Sequence, residues 1–230
     1  MSELVHIEMG PMSYGLAMEY QQRLWRQVVA SSQETAFLML LEHDPPVITA
    51  GPSARPEHIL ASKGQLAEAG VEVLHVRRGG GVTYHGPGQL VGYLVLDLRQ
   101  RNLSLRQHMR CLEESLIRTL RRLGIPADRS PGLTGVWVGR AKIAAIGVAA
   151  RRGVTLHGFA LNILPEMSHF GLIVPCGIAE RSVTSLRQLL ATLPPRRELM
   201  ANLVRDVGDV FRLDRLRGAD VNEVFSLQHV

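Results

Sequence analysis

Residues 135–163, GVWVGRAKIAAIGVAARRGVTLHGFALNI, set the architecture. Three apolar runs, VWV, KIAAIGVAA and VTLHGFALNI, are separated by Gly139-Arg140 and by Arg151-Arg152-Gly153, the punctuation of an antiparallel meander. The runs predict three neighbouring strands. If the Arg151-Arg152-Gly153 turn joins two of them, residues whose numbers sum to about 304 face each other, which sets Lys142 near Asn162 and Gly147 near His157.

Working outward, residues 91–98 (VGYLVLDL) are apolar on both alternating faces and predict a central strand covered on both sides. Residues 35–42 (TAFLMLLE) and 46–50 (PVITA) predict two strands around the turn Asp44-Pro45-Pro46. A short helix follows between residues 56 and 69, then a strand over 71–76 that leads into a glycine-rich segment. Tyr14, Ala17, Met18, Leu24, Trp25 and Val28 recur at helical spacing after Ser13. Ser104 and Gln107 have capping-box spacing ahead of Leu105, Met109, Leu112, Leu116, Leu120 and Leu123, and a last helix is expected over 196–211. The stretch from Ile163 to about Ile178 is irregular. This order lacks strict βαβ alternation and predicts an α+β (mixed α/β) domain: a largely antiparallel mixed sheet flanked by helices. One domain is expected over residues 1–218. The tail, 219–230, carries no motif.

Composition excludes several classes. Of 230 residues, 46% are hydrophobic and 20% charged, which is incompatible with disorder. The longest apolar run, 36–41, has six residues, against roughly 20 for a membrane-spanning helix. The N-terminal MSELVHIEMG lacks a basic stretch followed by an apolar core, so no secretory signal is read there and the cytoplasm is expected. The net charge of +5 rests on 24 arginines and two lysines, Lys63 and Lys142. The arginines fall in scattered pairs, and with 5% aromatic residues there is no stacking platform for nucleic acid.

Residues 77–88, RRGGGVTYHGPG, gather five glycines, two arginines and several hydrogen-bonding side chains. Glycine admits positive φ and close approach of a ligand, and exposed amides can meet a carbonyl or phosphate. The spacing fits neither a P-loop nor the dinucleotide fingerprint; a long turn between strands is the plain alternative. Lys142 opens an apolar strand. It either reaches solvent along its stem or supplies what arginine cannot, a cation able to lose its proton. Cys111 lies within the capped helix as a boundary residue. Cys176, in Val174-Pro175-Cys176-Gly177, is either a buried loop cysteine or a thiol presented from an irregular loop. Beside an amine a thiol becomes a working nucleophile, because neutral lysine can take its proton and ammonium stabilises thiolate. Ala144, Ala145, Gly147, Ala149 and Ala150 are small enough to leave a groove for an extended apolar ligand, or to pack tightly against a helix.

Together, RGGGVTYHGPGQ (78–89), GRAKIAAIG (139–147), HGFALN (157–162) and PCG (175–177) resemble the lipoyl(octanoyl) transferases, in that order along the chain. The resemblance implies a catalytic fold like that of the biotin and lipoate protein ligases. It also implies transfer of an octanoyl group from octanoyl-acyl carrier protein to a lysine of lipoyl domains, those of 2-oxoacid dehydrogenase and glycine cleavage proteins. Neither ATP nor a metal is implied, and phosphopantetheine arrives on the carrier. Carried over by motif, Cys176 is the acyl-thioester nucleophile and Lys142 the general acid/base. Arg77, Arg78, Gly79, Gly80, Gly81, Val82, Thr83, Tyr84 and His85 would line the acyl site with Ala144, Ala145, Ile146 and Gly147, and with His157, Gly158 and Phe159. The rival readings are an ATP-dependent lipoate or biotin ligase, which would not need the cysteine, and a non-catalytic acyl-binding module.

Overall fold

In the computed structural model, which describes residues 2–174 and 182–225, the chain opens with β1 (Glu3–Met12), α1 (Tyr14–Ala30), β2 (Thr35–His43) and β3 (Val47–Ala50). It continues through a 3-10 turn at Pro56–His58 to α2 (Lys63–Glu68), β4 (Glu72–His75), β5 (Val82–His85), β6 (Gln89–Val95) and α3 (Leu105–Arg122). Then come β7 (Asp128–Ser130), β8 (Leu133–Val138), β9 (Ala141–Arg151), β10 (Val154–Asn162) and a second 3-10 turn at Met167–Leu172. After residues 175–181, which lie outside the description, follow β11 (Ser182–Val183), α4 (Leu186–Leu189), α5 (Arg196–Phe211), β12 (Arg215–Ala219) and α6 (Val221–Phe225).

Capping explains the helix starts. Ser13 Oγ accepts from Leu16 N at the head of α1, and at α3 Ser104 Oγ accepts from Gln107 N while Gln107 Oε1 accepts from Ser104 N. α5 occupies residues 196–211, as its spacing predicts.

Among the described residues the large sheet has the order β12-β1-β2-β6-β10-β9-β8-β7, with β11 paired alongside β9, and β4-β3-β5 form a smaller sheet. Pairing is parallel at β1–β12, β1–β2 and β9–β11 and antiparallel elsewhere in the large sheet, the mixed and largely antiparallel sheet that was expected. α3 and α5 cover one face, burying Leu38, Leu40, Leu90, Leu94, Leu116, Leu120 and Leu203 in one cluster. α1 covers the other face over Phe37, Met39, Val91, Tyr93 and Ala160. β6 is buried throughout, in keeping with its two-sided apolar pattern.

β2 and β3 flank the Asp44-Pro45-Pro46 turn as expected, but in different sheets: the chain leaves the large sheet after β2 and enters the small one. Two details depart from the sequence reading. The hairpin register is 305, not 304, so Gly147 faces Gly158 and His157 faces Val148. Its turn has two residues, Arg152 and Gly153, both at positive φ, and closes on Arg151 and Val154; this is the geometry that matches strand twist. β1 and β12 were not anticipated. β12 runs through Gly218, and α6 brings Val221, Val224 and Phe225 against the cluster beneath α1.

Candidate active site

The glycine-rich segment is stitched to both sheets. Arg78, buried, donates from Nη2 to Thr49 O (2.8 Å) and Oγ1 (2.7 Å) on β3, and from Nη1 to Gly79 O. Gly79 N donates to Val148 O on β9, and Gly51 N to Gly81 O. The loop therefore bridges the small sheet and the large one, and a cleft lies along the seam.

That cleft is narrow and partly open, with about 480 Å³ of space when the part open to solvent is included. Of the residues expected at the acyl site, Arg78, Gly79, Gly80, Gly81, Val82, Thr83, His85, Ala145, Ile146, Gly147, His157, Gly158 and Phe159 line it. Arg77, Tyr84 and Ala144 do not. Arg77 is exposed; Tyr84 is buried in the small sheet's core, where its hydroxyl meets His169; Ala144 faces the cluster under α3. Tyr14, Tyr93 and Ala160 complete the lining. Ala160 falls within HGFALN but was not among the expected site residues, whereas no motif marks Tyr14 or Tyr93, which the packing of α1 and the position of β6 bring to the seam.

His157 is the conformational exception. Its φ is +64° within β10, a left-handed conformation unusual for a residue with a side chain. Phe159 and Leu161 face α3 and α5, and strict alternation would send His157 there too. Instead its ring stands edge-on to Tyr93, on the α1 face, with centroids 6.0 Å apart. Gln21, fully buried on α1, stabilises this kink by accepting from His157 N at 2.5 Å. Such local strain, over-determined by its surroundings, is a mark of binding sites. At the next strand pair, Gly92 is required because a Cβ there would enter the ring of Phe159.

Electrostatically the cleft is a set of neutral imidazoles and phenols around one buried guanidinium. Burial, reinforced by Arg78, pushes His157 down to about 4; burial takes His43 to about 4; burial and then His43 hold His85 well below its ordinary value. Burial raises Tyr14 to about 12 and Tyr93 well above its normal range. His43 Nε2 and Tyr93 Oη share a 2.7 Å hydrogen bond, and His85 Nδ1 shares one with Gln89 Oε1. Gln89 Nε2 donates to Asn162 Oδ1, Asn162 Nδ2 donates to Thr184 O, and Thr184 N donates to Lys142 O. A continuous polar chain thus links the glycine-rich loop to the lysine strand.

Lys142 is 7% exposed, at a register slip between β8 and β9, with its Nζ 4.8 Å from the centroid of the Trp137 ring. It lies three positions before Ala145, which lines the cleft. Cys176 lies outside the described residues. The first described residues beyond it, Ser182 and Val183, pair directly with Ala141 and Lys142. Cys111 sits half-buried on α3, where burial pushes its thiol up, away from nucleophilic use.

This fold is shared with lipoate and biotin protein ligases of known structure. A bipartite lipoate protein ligase from Thermoplasma acidophilum superposes with a TM-score of 0.75 over 97% of this chain and 88% of its own, at 19% identity. A biotin protein ligase from Aquifex aeolicus does so with a TM-score of 0.53 over 92% and 71%, at 15% identity. The chain belongs to the family of the lipoyl protein ligase A/B catalytic domain, whose profile matches residues 13–207. Among its relatives, the octanoyltransferase of Chloroflexus aggregans is 49% identical over 216 residues, 93% of this chain and 97% of that protein. The octanoyltransferase of Clostridium kluyveri is 42% identical over 213 residues, covering 93% and 90%.

Proposed function

We propose that this chain, an acyltransferase that moves octanoyl groups in protein lipoylation as its relatives do, works through an acyl-thioester on Cys176 with Lys142 as the proton carrier. The donor is an octanoyl thioester of acyl carrier protein, the acceptor is a lysine of a lipoyl domain, and the setting is the cytoplasm. No helix among the described residues is long and apolar enough to cross a membrane.

The observation that carries the reading is the seam. A cleft floored by small residues, Ala145 and Gly147, and capped by the glycine-rich loop runs along the strand of Lys142, and β11, which begins six residues past Cys176 in sequence, pairs with that strand at Ala141 and Lys142. Cys176, giving its proton to Lys142, attacks the thioester carbonyl. Gly79 N is committed to Val148 O, which leaves the amides of Gly80 and Gly81 as the loop's candidates for holding the oxyanion. The tetrahedral intermediate collapses, Lys142 protonates the departing carrier thiol, and acyl-Cys176 remains. The lipoyl-domain amine then attacks, Lys142 accepts its proton, and the amide forms as the Cys176 thiolate leaves. One thioester is exchanged for another of similar energy before amide formation runs downhill, so neither nucleotide nor metal is needed. Of the seven carbons beyond the carbonyl, six are absent from an acetyl group, and their burial at about 0.8 kcal/mol each gives roughly 5 kcal/mol of preference over acetyl.

Incubation with octanoyl-acyl carrier protein is expected to add one octanoyl mass to the protein, and Cys176→Ser to abolish the adduct. Lys142→Arg is expected to fold yet transfer poorly. An adduct that forms only with ATP, or near wild-type transfer by Lys142→Arg, overturns the scheme.

A further inference from the structure

On α3, outside the cleft, Glu113 presents a carboxylate whose side chain is 1% exposed. A carboxylate is buried at heavy cost unless its oxygens are fully engaged. Here Oε2 accepts from Arg110 Nη1 (2.7 Å) and Arg129 Nε (3.1 Å), while Oε1 reaches into the sheet and accepts from Gly135 N at 3.0 Å. Two arginines neutralise the charge, and the remaining oxygen holds one backbone amide of β8.

That amide belongs to an irregular strand. The β8–β9 register slips between Val136 and Trp137, and Gly135 has φ +116°. A Cβ on Gly135 would lie 2.7 Å from Ala144 O, and 3.4 and 3.6 Å from Cε and Cδ of Lys142. The space beside Gly135 is therefore occupied by the stem of Lys142. Beyond the slip Trp137 faces Lys142 and carries its ammonium over the indole. The same short stretch of β8, held by Glu113, thus borders the lysine along its stem and at its tip.

We propose that Glu113 is a positioning residue for Lys142, acting through the Gly135 peptide to fix the bulge that aims the lysine. The inference rests on the reading of Lys142 as proton carrier. Carboxylate reach is then what matters, and carboxylate charge is secondary. Glu113→Gln keeps an oxygen able to accept from Gly135 N; Glu113→Asp keeps the charge and withdraws it by one methylene.

The test is steady-state transfer from octanoyl-acyl carrier protein to a lipoyl domain by the full chain, measured from pH 6 to 10 together with thermal unfolding. Glu113→Asp is expected to lower kcat on the order of 10- to 100-fold, with little change in KM and a displaced pH profile, whereas Glu113→Gln retains most of kcat and the wild-type profile. A purely structural ion cluster gives the reverse order: Glu113→Asp close to wild type, and Glu113→Gln less stable with an unaltered pH profile. That result overturns the proposal, as do two folded variants that both match wild type. Lys142→Ala serves as the reference. Wild-type turnover in Lys142→Ala overturns the proton-carrier reading itself, whereas an inactive Lys142→Ala beside a fully active Glu113→Asp overturns only the role of Glu113.

Discussion

The two faces of the large sheet are built from alternate residues of the same strands, yet they follow different rules. Beneath α3 and α5 the face is almost wholly aliphatic. Its buried carboxylates are engaged, Asp206 by Thr119 and Arg122 as Glu113 is by its arginines. Beneath α1, Tyr93 sits among His43, His157 and Gln21, each hydrogen-bonded to a neighbour. The aliphatic face is a packing surface whose worth is proportional to the area it hides. The α1 face keeps ligand-facing polar groups neutral and fixed at some expense of stability.

Acid should act on the buried imidazoles of both faces, on His108 beneath α3, pushed down to about 3 by burial, and on the two beneath α1. His43 and His157 are both held near 4 by burial, against 6.5 in an unfolded chain. Above pH 6.5 both states are neutral at these sites. Between 6.5 and 4 only the unfolded chain takes up the protons, so stability falls by about 3 kcal/mol for each group and then levels off. Urea midpoints measured at pH 7, 6, 5 and 4 should decline accordingly, and His157→Gln should flatten the curve; an unchanged slope in that variant would detach the face from the pH response.

On the aliphatic face, Leu116→Ala is expected to cost about 2–5 kcal/mol while transfer per folded molecule stays at the wild-type rate. A loss of transfer beyond the loss of fold would mean that the packing face also shapes the site. Gln21→Ala tests the opposite face. Leaving His157 N unpaired should cost about 1–3 kcal/mol, and transfer should drop further than stability does, because the kinked ring moves. The smallest effect belongs to His108, on the aliphatic side against Phe211, where both ring nitrogens lack a hydrogen-bond partner among the described residues and burial pushes it down to about 3. His108→Leu should stabilise the protein by about 1 kcal/mol in calorimetry without affecting transfer.

Much of this was legible in the sequence, for reasons that differ by element. α1, α3 and α5 carry both period and boundary, and β8 to β10 carry unambiguous punctuation. β1 was hidden by Gly10 and Pro11 within it, and β12, RLRGA, by having no alternation to read, since four of its five residues are exposed. The hairpin slipped by one because Arg151-Arg152-Gly153 can be read as a two-residue or a three-residue turn, and the positive φ of both Arg152 and Gly153 that selects the shorter one is not written in the sequence. The glycine-rich loop announced itself through composition. Its anchor Thr49, the helper Gln21 and the wall residues Tyr14 and Tyr93 did not, because each works through a contact made across strands or helices far away in sequence. A carboxylate such as Glu113 in the apolar period of α3 was the one available hint of a job beyond packing.

β1 lies between β2 and β12, and Ser2 is hydrogen-bonded to Asp214. β1 is thus an inner strand, and one of its two partners, β12, is made long after the other: Glu3 pairs with Thr35 on one side and with Arg215 on the other. Until residues near 219 emerge, β1 must wait with one row of backbone groups unpaired, open to any other strand with a free edge. β1 gains its second partner only once β12 has been made, so a nascent chain stalled before α5 would be the form most in need of a chaperone.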